Sequence, residues 1–393
     1  MKKLLLASAA TCLACAAIAE EAKIGVMLGF TGPLESITPM MADGAELAIA
    51  EANASGKFLN GITLTPMRAD STCVDAAAAT AAAERLVNTD GVVAIMGADC
   101  SGVTGAVLAN VAVPNGVPMI SPSATSPALS TADDKGLFFR TAPSDARQGE
   151  VLAQILSEKG ISEIAVTYTN NDYGKGLSDS FQSAFEAAGG TVTLAAPHED
   201  GKADYSAEIG ALASAGGEAL AVFGYTDQGG KGMIQASIDT GAFDTYVMGD
   251  GMYGDALLAD LGADMEGSFG TAPWSQGKGT EMFTERANAA GLDPDAVYTR
   301  ESYDAAALLV LAMMAGGAAS SDAVAANVMA VANAPGEPIM PGELGKAFEI
   351  LAAGGEVDYV GATGVELIGP GEAAGSYRHF AVSGNAYETV EFK

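Results

Sequence analysis

Residues 95–127, IMGADCSGVTGAVLANVAVPNGVPMISPSATSP, contain two apolar runs that each lead into a polar, hydroxyl-rich loop. Residues 92–96 and 117–120 are short and apolar enough to be buried parallel strands, and residues 102–113 have the pattern of a helix between them. This pattern predicts a βαβ unit. Loops at the carboxyl ends of parallel strands face the crevice in which open α/β sheets bind ligands. Ser101 and Thr125 therefore lie where a small carboxylate could be held, unless both loops are only polar caps.

Strand and helix patterns alternate along most of the chain, which predicts an α/β fold of two doubly wound halves. The cycle restarts after residues 138–140. The predicted strands are 23–28, 62–69, 92–96 and 117–120 in the first half, and 164–168, 191–195, 219–223, 246–248 and 268–271 in the second. The predicted helices are 39–54, 75–88, 102–113, 176–188, 205–215, 230–240, 281–290, 302–315 and 321–332. Residues 365–368 and 377–382 look like a hairpin at a sheet edge.

The first residues have the features of a secretory signal peptide. Two lysines precede an apolar run that ends in the A-x-A site Ala17-Ile18-Ala19, so we expect export and cleavage after Ala19. Cys12-Leu13-Ala14-Cys15 is an imperfect lipobox, because Cys12 stands where an aliphatic residue is expected. Lipid anchoring at Cys15 is the less favoured alternative to a soluble periplasmic protein.

Only two cysteines remain after the signal, Cys73 and Cys100, and each follows a predicted strand. Neighbouring loops would bring them together, and an oxidising compartment favours a disulfide between them. Closing a loop of this length contributes about 3 to 4 kcal/mol of stability by the chain-entropy estimate. The bond would brace the rim of the predicted site.

Composition argues against several classes of function. Asp and Glu total 49 against 19 Lys and Arg, a net charge of −30, so nucleic acid and anionic lipid surfaces would repel the chain. His198 and His379 are the only histidines and do not have metal-ligand spacing. The sequence has no G-x-S-x-G elbow and no phosphate-binding loop. We therefore predict a protein that is not an enzyme and has no metal and no cofactor.

Several short motifs, taken in order, resemble those of periplasmic solute-binding proteins of the leucine/isoleucine/valine-binding type. They are Ile24-Gly25-Val26, Thr31-Gly32-Pro33, Gly44-Ala45-Glu46, Cys73, Cys100-Ser101, Ser121 to Thr125, Phe139-Arg140-Thr141, Pro143-Ser144-Asp145, Asp172 to Gly176, Asp204-Tyr205-Ser206 and Ser302 to Ala306. The resemblance implies two Rossmann-like lobes joined by three crossovers that close around a ligand. Residues 20–141 with 272–370 would form the N-terminal lobe, and residues 142–271 with 371–393 the C-terminal lobe.

The same resemblance implies a function and a set of partners. The chain would be the extracytoplasmic binding component of an ABC importer for a small amino acid, branched-chain or related, or an amide. It would be a monomer that delivers its ligand to permease subunits in the inner membrane. The alternative is a sensor module that presents its closed form to a signalling receptor.

Binding roles carry over from the family to individual positions of this chain. Ser101 and Thr125 would bind the ligand carboxylate, and the Ser123 carbonyl would accept a hydrogen bond from the ligand ammonium. Tyr173 and Tyr225 would close over the ligand from the second lobe. Asp250 would pair with the ammonium, which is costly to bury without a counter-charge.

Two positions depart from the leucine-binding pattern and leave the ligand side chain open. Ile37 replaces an aromatic residue after the Gly-Pro turn, and Asp99 replaces an aliphatic residue before the second cysteine. A carboxylate there would favour a polar or cationic side chain, an amide or a urea-like ligand. The alternative is that Asp99 points to solvent or caps the following helix. Glu35, Tyr253 and Trp274 are further possible cleft residues.

Overall fold

The computed structural model describes residues 21–393. The predicted signal peptide, with Cys12, Cys15 and the cleavage site after Ala19, lies outside the described residues. Helices and strands alternate through the first three quarters of the chain, as expected for an α/β fold. The strands are β1 (Glu21–Leu28), β2 (Thr63–Asp70), β3 (Ala94–Gly97), β4 (Met119–Ser121), β5 (Phe138–Arg140), β6 (Glu163–Thr169), β7 (Thr191–His198), β8 (Ala219–Phe223), β9 (Tyr246–Met248), β10 (Phe269–Pro273), β11 (Glu337–Ile339), β12 (Val357–Tyr359), β13 (Leu367–Ile368), β14 (Glu372–Ala373), β15 (Tyr377–Ser383) and β16 (Ala386–Phe392).

The helices differ in length from one short turn to five turns. They are α1 (Thr38–Ser55), α2 (Ala76–Glu84), α3 (Ser101–Val107), α4 (Val113–Asn115), α5 (Asp145–Lys159), α6 (Asp172–Ala187), α7 (Ser206–Ala215), α8 (Gly229–Thr240), α9 (Asp255–Leu261), α10 (Lys278–Ala290), α11 (Thr299–Gly316), α12 (Ser321–Val331) and α13 (Leu344–Ala352). Short π-helical segments follow α2 and α3 at Arg85–Asp90 and Leu108–Ala112.

Two seven-stranded sheets organise the molecule, and each is mainly parallel. The first has the order β13-β14-β5-β4-β3-β1-β2 and the second the order β16-β15-β10-β9-β8-β6-β7. We call each sheet with the helices packed on it the first and the second lobe. In the first sheet Ile24 pairs with Pro66 on one side and with Ala94 on the other. The predicted α/β fold of two doubly wound lobes is therefore confirmed.

Three chain segments pass from one sheet to the other. They connect β5 to α5, β10 to α10, and β14 to β15. The last passage lies between Ala373 and Tyr377, slightly after the predicted boundary at residue 370, because β14 pairs with β5. All three crossings lie close together, since Thr141, Pro273 and Ala373 line one small cavity. The three segments thus connect the lobes at one place.

Helix α11 is the central helix of the first lobe. Every residue from Thr299 to Met314 is buried, and the helix packs on α1. Gly44 of α1 permits the close approach, because a Cβ atom there would lie 2.6 Å from the carbonyl oxygen of Thr299. Within residues 21–393 no single helix meets the length and hydropathy needed to cross a membrane, and only α11 and α12 together would, with a 107° bend between them.

The structure corrects the sequence prediction at the end of the chain. Residues 365–368 and 377–382 do not pair as a hairpin. Instead β13 pairs with β14 at the edge of the first sheet, and β15 lies inside the second sheet between β10 and β16. The edge strand β16 was not predicted from the sequence, because its residues are largely exposed and do not form the apolar run expected of a buried strand. Helix α5 was also not predicted.

Candidate functional site

The loops after β3 and β4 form the first-lobe side of the candidate site. Arg140 is buried on β5 and shapes the second loop by donating hydrogen bonds to the carbonyl oxygens of Ala124 (3.0 Å) and Ser126 (2.9 Å). The Ser126 N–H donates to the hydroxyl oxygen of Ser101 at 3.1 Å, which joins the two loops. Glu372 neutralises the Arg140 charge.

A disulfide between Cys73 and Cys100 joins the loops after β2 and β3, with a Cα–Cα distance of 5.1 Å. Both cysteines are buried. The predicted pairing is therefore confirmed. Because Ser101 follows Cys100 directly, the bond fixes the loop that carries Ser101 to the end of the neighbouring strand.

A small cavity, with about 290 Å³ of empty space when its opening to solvent is included, lies between these loops and the second lobe. Most of the residues that the sequence analysis selected line this cavity. The lining residues are Leu34, Ile37, Asp99, Cys100, Ser101, Ser123, Tyr173, Tyr225, Asp250, Gly251 and Tyr298.

Thr125 is the one predicted binding residue that does not line the cavity. It is buried, and its hydroxyl lies next to the carboxylate of Asp145, whose pKa it lowers. Its carbonyl oxygen accepts a hydrogen bond of 2.9 Å from the N–H of Asp145. Ser123 lines the cavity and donates its hydroxyl to the Asp99 carbonyl oxygen at 3.0 Å.

The second lobe contributes Tyr173, Tyr225 and Asp250 to the opposite wall. The two tyrosine rings stack with centroids 5.2 Å apart and an angle of 21° between their planes. Tyr173 donates its hydroxyl to Asp250 Oδ1 at 3.0 Å and accepts a hydrogen bond from the Gly251 N–H at 3.1 Å. Gly251 must be glycine here, because a Cβ atom would lie 2.5 Å from the Gly224 carbonyl oxygen.

Asp250 is a buried carboxylate that both lobes contact. Tyr298, from the first lobe, donates its hydroxyl to Oδ2 of Asp250, while Tyr173 contacts Oδ1. Burial raises the pKa of Asp250, and the hydrogen bonds from Tyr298 and Tyr173 act in the opposite direction. Burial and the charge of Asp250 raise the pKa values of both tyrosines, so their hydroxyls stay protonated. Tyr298 was not among the binding residues predicted from the sequence.

Asp145 is a second buried carboxylate, and in the sequence it stood out only as part of the motif Pro143-Ser144-Asp145. It begins α5 and is fully buried. Burial and the negative charge of Asp250 raise its pKa, while the Thr125 hydroxyl and the charge of Arg140 lower it. Two carboxylates that repel each other in a buried site favour a cation between or beside them.

The structure shows where the side chains of Asp99 and Ile37 lie. Asp99 does not point to solvent, since only 1% of its surface is exposed. It accepts hydrogen bonds from the Gly29 N–H at 2.9 Å and the Ser71 hydroxyl at 2.8 Å, and no side chain caps helix α3. Ile37 is buried in the cavity wall beside Leu34.

The three further cleft candidates do not line this cavity. Glu35 is exposed. Tyr253 lines a neighbouring cavity on the other side of Ile37. Trp274 lies where the three crossing segments meet. The Cζ atoms of Arg300 and Arg378 lie over its ring, 3.9 and 4.7 Å from the ring centroid.

Direct contacts between the lobes close the mouth of the cavity. Asp227 of the second lobe accepts a hydrogen bond from the Ser36 N–H at 2.8 Å and donates its own N–H to the Pro33 carbonyl oxygen at 3.2 Å. Gly176 of α6 lies against the loop after β4, where a Cβ atom would be 2.9 Å from Pro127. The cavity is therefore enclosed by residues from both lobes.

Two lobes that are joined by three chain segments, with a small cavity between them, are typical of one class of ligand-binding protein. A sequence model of the family described as periplasmic binding protein matches residues 21–346. The chain belongs to this family.

Its relatives include named amino acid binding proteins. A leucine-, isoleucine-, valine-, threonine- and alanine-binding protein of Pseudomonas aeruginosa is 29% identical over 78% of this chain and 82% of the relative. A Leu/Ile/Val-binding protein homolog of Brucella melitensis is 32% identical over 76% of this chain and 79% of the relative.

A solved structure shows the same fold. The branched-chain amino acid transporter substrate-binding protein of Streptococcus pneumoniae, in complex with isoleucine, superimposes with a TM-score of 0.79 at 23% identity. The match covers 95% of this chain and 99% of that protein.

Proposed function

We propose that this protein is the extracytoplasmic binding component of an ABC importer and that it binds a small amino acid or a related amide between its lobes. The observation that carries the proposal is the environment of Asp250. Its carboxylate lies in the cavity wall, receives hydroxyl groups from both lobes and has Asp145 nearby. A ligand ammonium would neutralise this pair of buried acids.

The opposite side of the cavity suits a carboxylate. Ser101 is a lining residue and can offer its hydroxyl, and Thr125 lies in the neighbouring loop after β4 with a buried hydroxyl. Hydroxyl groups and backbone N–H groups are the donors that proteins commonly use to bind carboxylates. An α-amino acid would thus contact Asp250 with one end and the loops after β3 and β4 with the other.

Hinge closure would couple ligand binding to transport. The first lobe supplies Ser101, Ser123 and Tyr298, and the second supplies Tyr173, Tyr225 and Asp250. A ligand that contacts both sets favours the closed arrangement over an open one. We propose the two lobes, residues 21–141 with 274–373 and residues 142–273 with 377–393, as the moving bodies. We also propose a periplasmic location and a permease that recognises the closed form.

Calorimetry with Asp250→Asn tests the proposal. The wild type should bind at least one of L-leucine, L-isoleucine, L-threonine, L-alanine and L-asparagine, and Asp250→Asn should weaken that binding by at least about 2 kcal/mol, because the ammonium loses its counter-charge. If leucine binds, 4-methylpentanoate, which is leucine without its amino group, should bind far more weakly.

The matched control is Asp264→Asn, which removes one charge from the exposed surface of the same lobe. It should bind as the wild type does. Unchanged affinity of Asp250→Asn for the amino acid would contradict the assignment of the ammonium site.

A further inference from the structure

The turn before α1 carries Leu34 and Ile37, two residues of the cavity wall. Ile37 and Thr38 donate their N–H groups to the Leu34 carbonyl oxygen at 3.0 and 3.2 Å. The Ser36 N–H instead donates to the second lobe, where Oδ2 of Asp227 accepts it at 2.8 Å. The free N–H groups at the start of a helix usually find an acceptor in the residues just before it. Here the acceptor comes from the opposite lobe.

Asp227 contacts this turn through two hydrogen bonds of opposite direction. Its carboxylate accepts the Ser36 N–H, and its own N–H donates to the Pro33 carbonyl oxygen at 3.2 Å. Lys231, the nearest cationic residue in the sequence, forms its ion pair with Asp260 at 3.0 Å. We call the contact of Asp227 with Pro33 and Ser36 the cross-lobe latch. Both of its hydrogen bonds join the two lobes, so neither can persist when the lobes separate.

The loop that carries Asp227 also carries a residue of the ligand cavity. Tyr225 lies two residues earlier, lines the cavity and accepts a hydrogen bond from Asn171 Nδ2 at 3.1 Å. Gly229 lies two residues later, and its N–H donates to Oδ1 of Asp200 at 3.0 Å. Because the loop is held on both sides of Asp227, this residue keeps a fixed position relative to the cavity wall.

Asp227 itself is half-buried and does not line the cavity. Its effect on a bound ligand therefore acts through the position of the lobes and of the turn that carries Leu34 and Ile37. Hydrogen bonds that form only on closure stabilise the closed form and slow its opening. They do not act on the encounter between the ligand and the open form.

We propose that Asp227 is a positioning residue that holds the closed form together through the cross-lobe latch and sets the rate at which the ligand is released. This inference rests on the proposed function, because it assumes that a ligand binds between the lobes and leaves when they separate. It adds the residue that controls release.

The release rate of the bound ligand tests the inference. The probe is the amino acid that binds most tightly in the calorimetric screen, carrying a tritium label, and its dissociation is followed after addition of excess unlabelled amino acid. Asp227→Ala should raise the dissociation rate constant about tenfold or more, as expected for the loss of a hydrogen bond to a charged group. The association rate constant, obtained from the dissociation rate constant and the calorimetric Kd, should change little.

Asp227→Asn is the second variant, because its amide oxygen can still accept the Ser36 N–H without the charge. It should raise the dissociation rate constant less than Asp227→Ala does. Asp244→Asn is the control, since Asp244 is an exposed residue of the same lobe, and it should release the ligand as the wild type does. The melting temperatures of the ligand-free variants should equal that of the wild type, because the latch joins the lobes and not the interior of either lobe.

Release from Asp227→Ala at the wild-type rate would show that the inference is wrong, and the proposed function would stand. A lower melting temperature of both ligand-free Asp227 variants would also overturn the inference, because Asp227 would then stabilise the second lobe itself. If none of the amino acids binds, the proposed function fails and the inference fails with it.

Discussion

At the scale of single residues, the contact between Tyr298 and Asp250 connects the two lobes inside the site. Tyr298 precedes α11 with φ of +63°, a left-handed conformation that is uncommon for residues other than glycine. Such strained residues concentrate at functional sites. The strain is consistent with a hydroxyl that must reach a particular atom across the cleft.

Replacing Tyr298 with phenylalanine should weaken ligand binding by about tenfold or more. The variant loses a hydrogen bond to a charged group, worth about 1.5 to 3 kcal/mol, that forms only when the lobes meet. Calorimetry with the tightest-binding amino acid measures the change, while the melting temperature of the ligand-free protein should change little. Tyr205→Phe is the control, because its hydroxyl donates to the Glu199 carbonyl oxygen outside the site. Equal affinity of Tyr298→Phe and wild type would exclude the cross-lobe role.

Two kinds of sequence signal pointed to residues near the cavity. Ser101 and Thr125 follow apolar strands, and the carboxyl ends of parallel strands meet at one edge of a sheet. The family resemblance pointed to Ser123, Tyr173, Tyr225 and Asp250, which line the cavity. Tyr298 and Asp145 have no such signal, since each begins a helix after an irregular segment. Only the tertiary fold shows that they lie beside Asp250.

At the scale of elements, most strands of the two parallel sheets were predictable, including the edge strands β2 and β7, whereas the short strands β5, β11, β12 and β14 and the edge strand β16 were not. Strand β8 matches its predicted range, because five consecutive apolar residues can be buried on both faces. Helix α5 was missed because Gln148 and Gly149 interrupt its apolar face. Both are buried: Gln148 donates to Thr271, and Gly149 allows α6 to approach closely.

Glu301 is a buried acidic residue on the first turn of α11, close to the three segments that join the lobes. Glu301 is 6% exposed and lines the small cavity where the three crossing segments meet. Burial raises the pKa of its carboxyl group to about 7 from 4.5. The protonated form therefore contributes stability that is fully present below pH 4.5 and is lost as pH rises through 7.

Replacing Glu301 with glutamine should remove part of this pH dependence. Wild type should lose about 3 kcal/mol more unfolding free energy than Glu301→Gln between pH 4.5 and 8. Denaturant unfolding of the ligand-free proteins at both pH values gives the difference. Glu285→Gln, which removes an exposed charge, should follow the wild type. Parallel pH profiles for wild type and Glu301→Gln would show that Glu301 ionises normally.

At the scale of the whole molecule, local bonds fix the loops of the first lobe, and three chain segments join the two lobes. The disulfide, Arg140 and the buried helix α11 fix the loops of the first lobe, and the three crossing segments are the covalent links between the lobes among residues 21–393. The cavity is formed by both lobes, so ligand affinity depends on their relative position. This is the arrangement expected of a protein that reports occupancy through closure.

The placement of an α-amino acid between the lobes is tested by a crystal structure of the protein with the amino acid that binds most tightly in the calorimetric screen. We expect the ligand in the cavity between the lobes, with its ammonium within hydrogen-bonding distance of Asp250 and its carboxylate beside Ser101 and Thr125. A ligand bound outside this cavity, or bound inside it with its carboxylate toward Asp250, would show that the binding site is assigned wrongly.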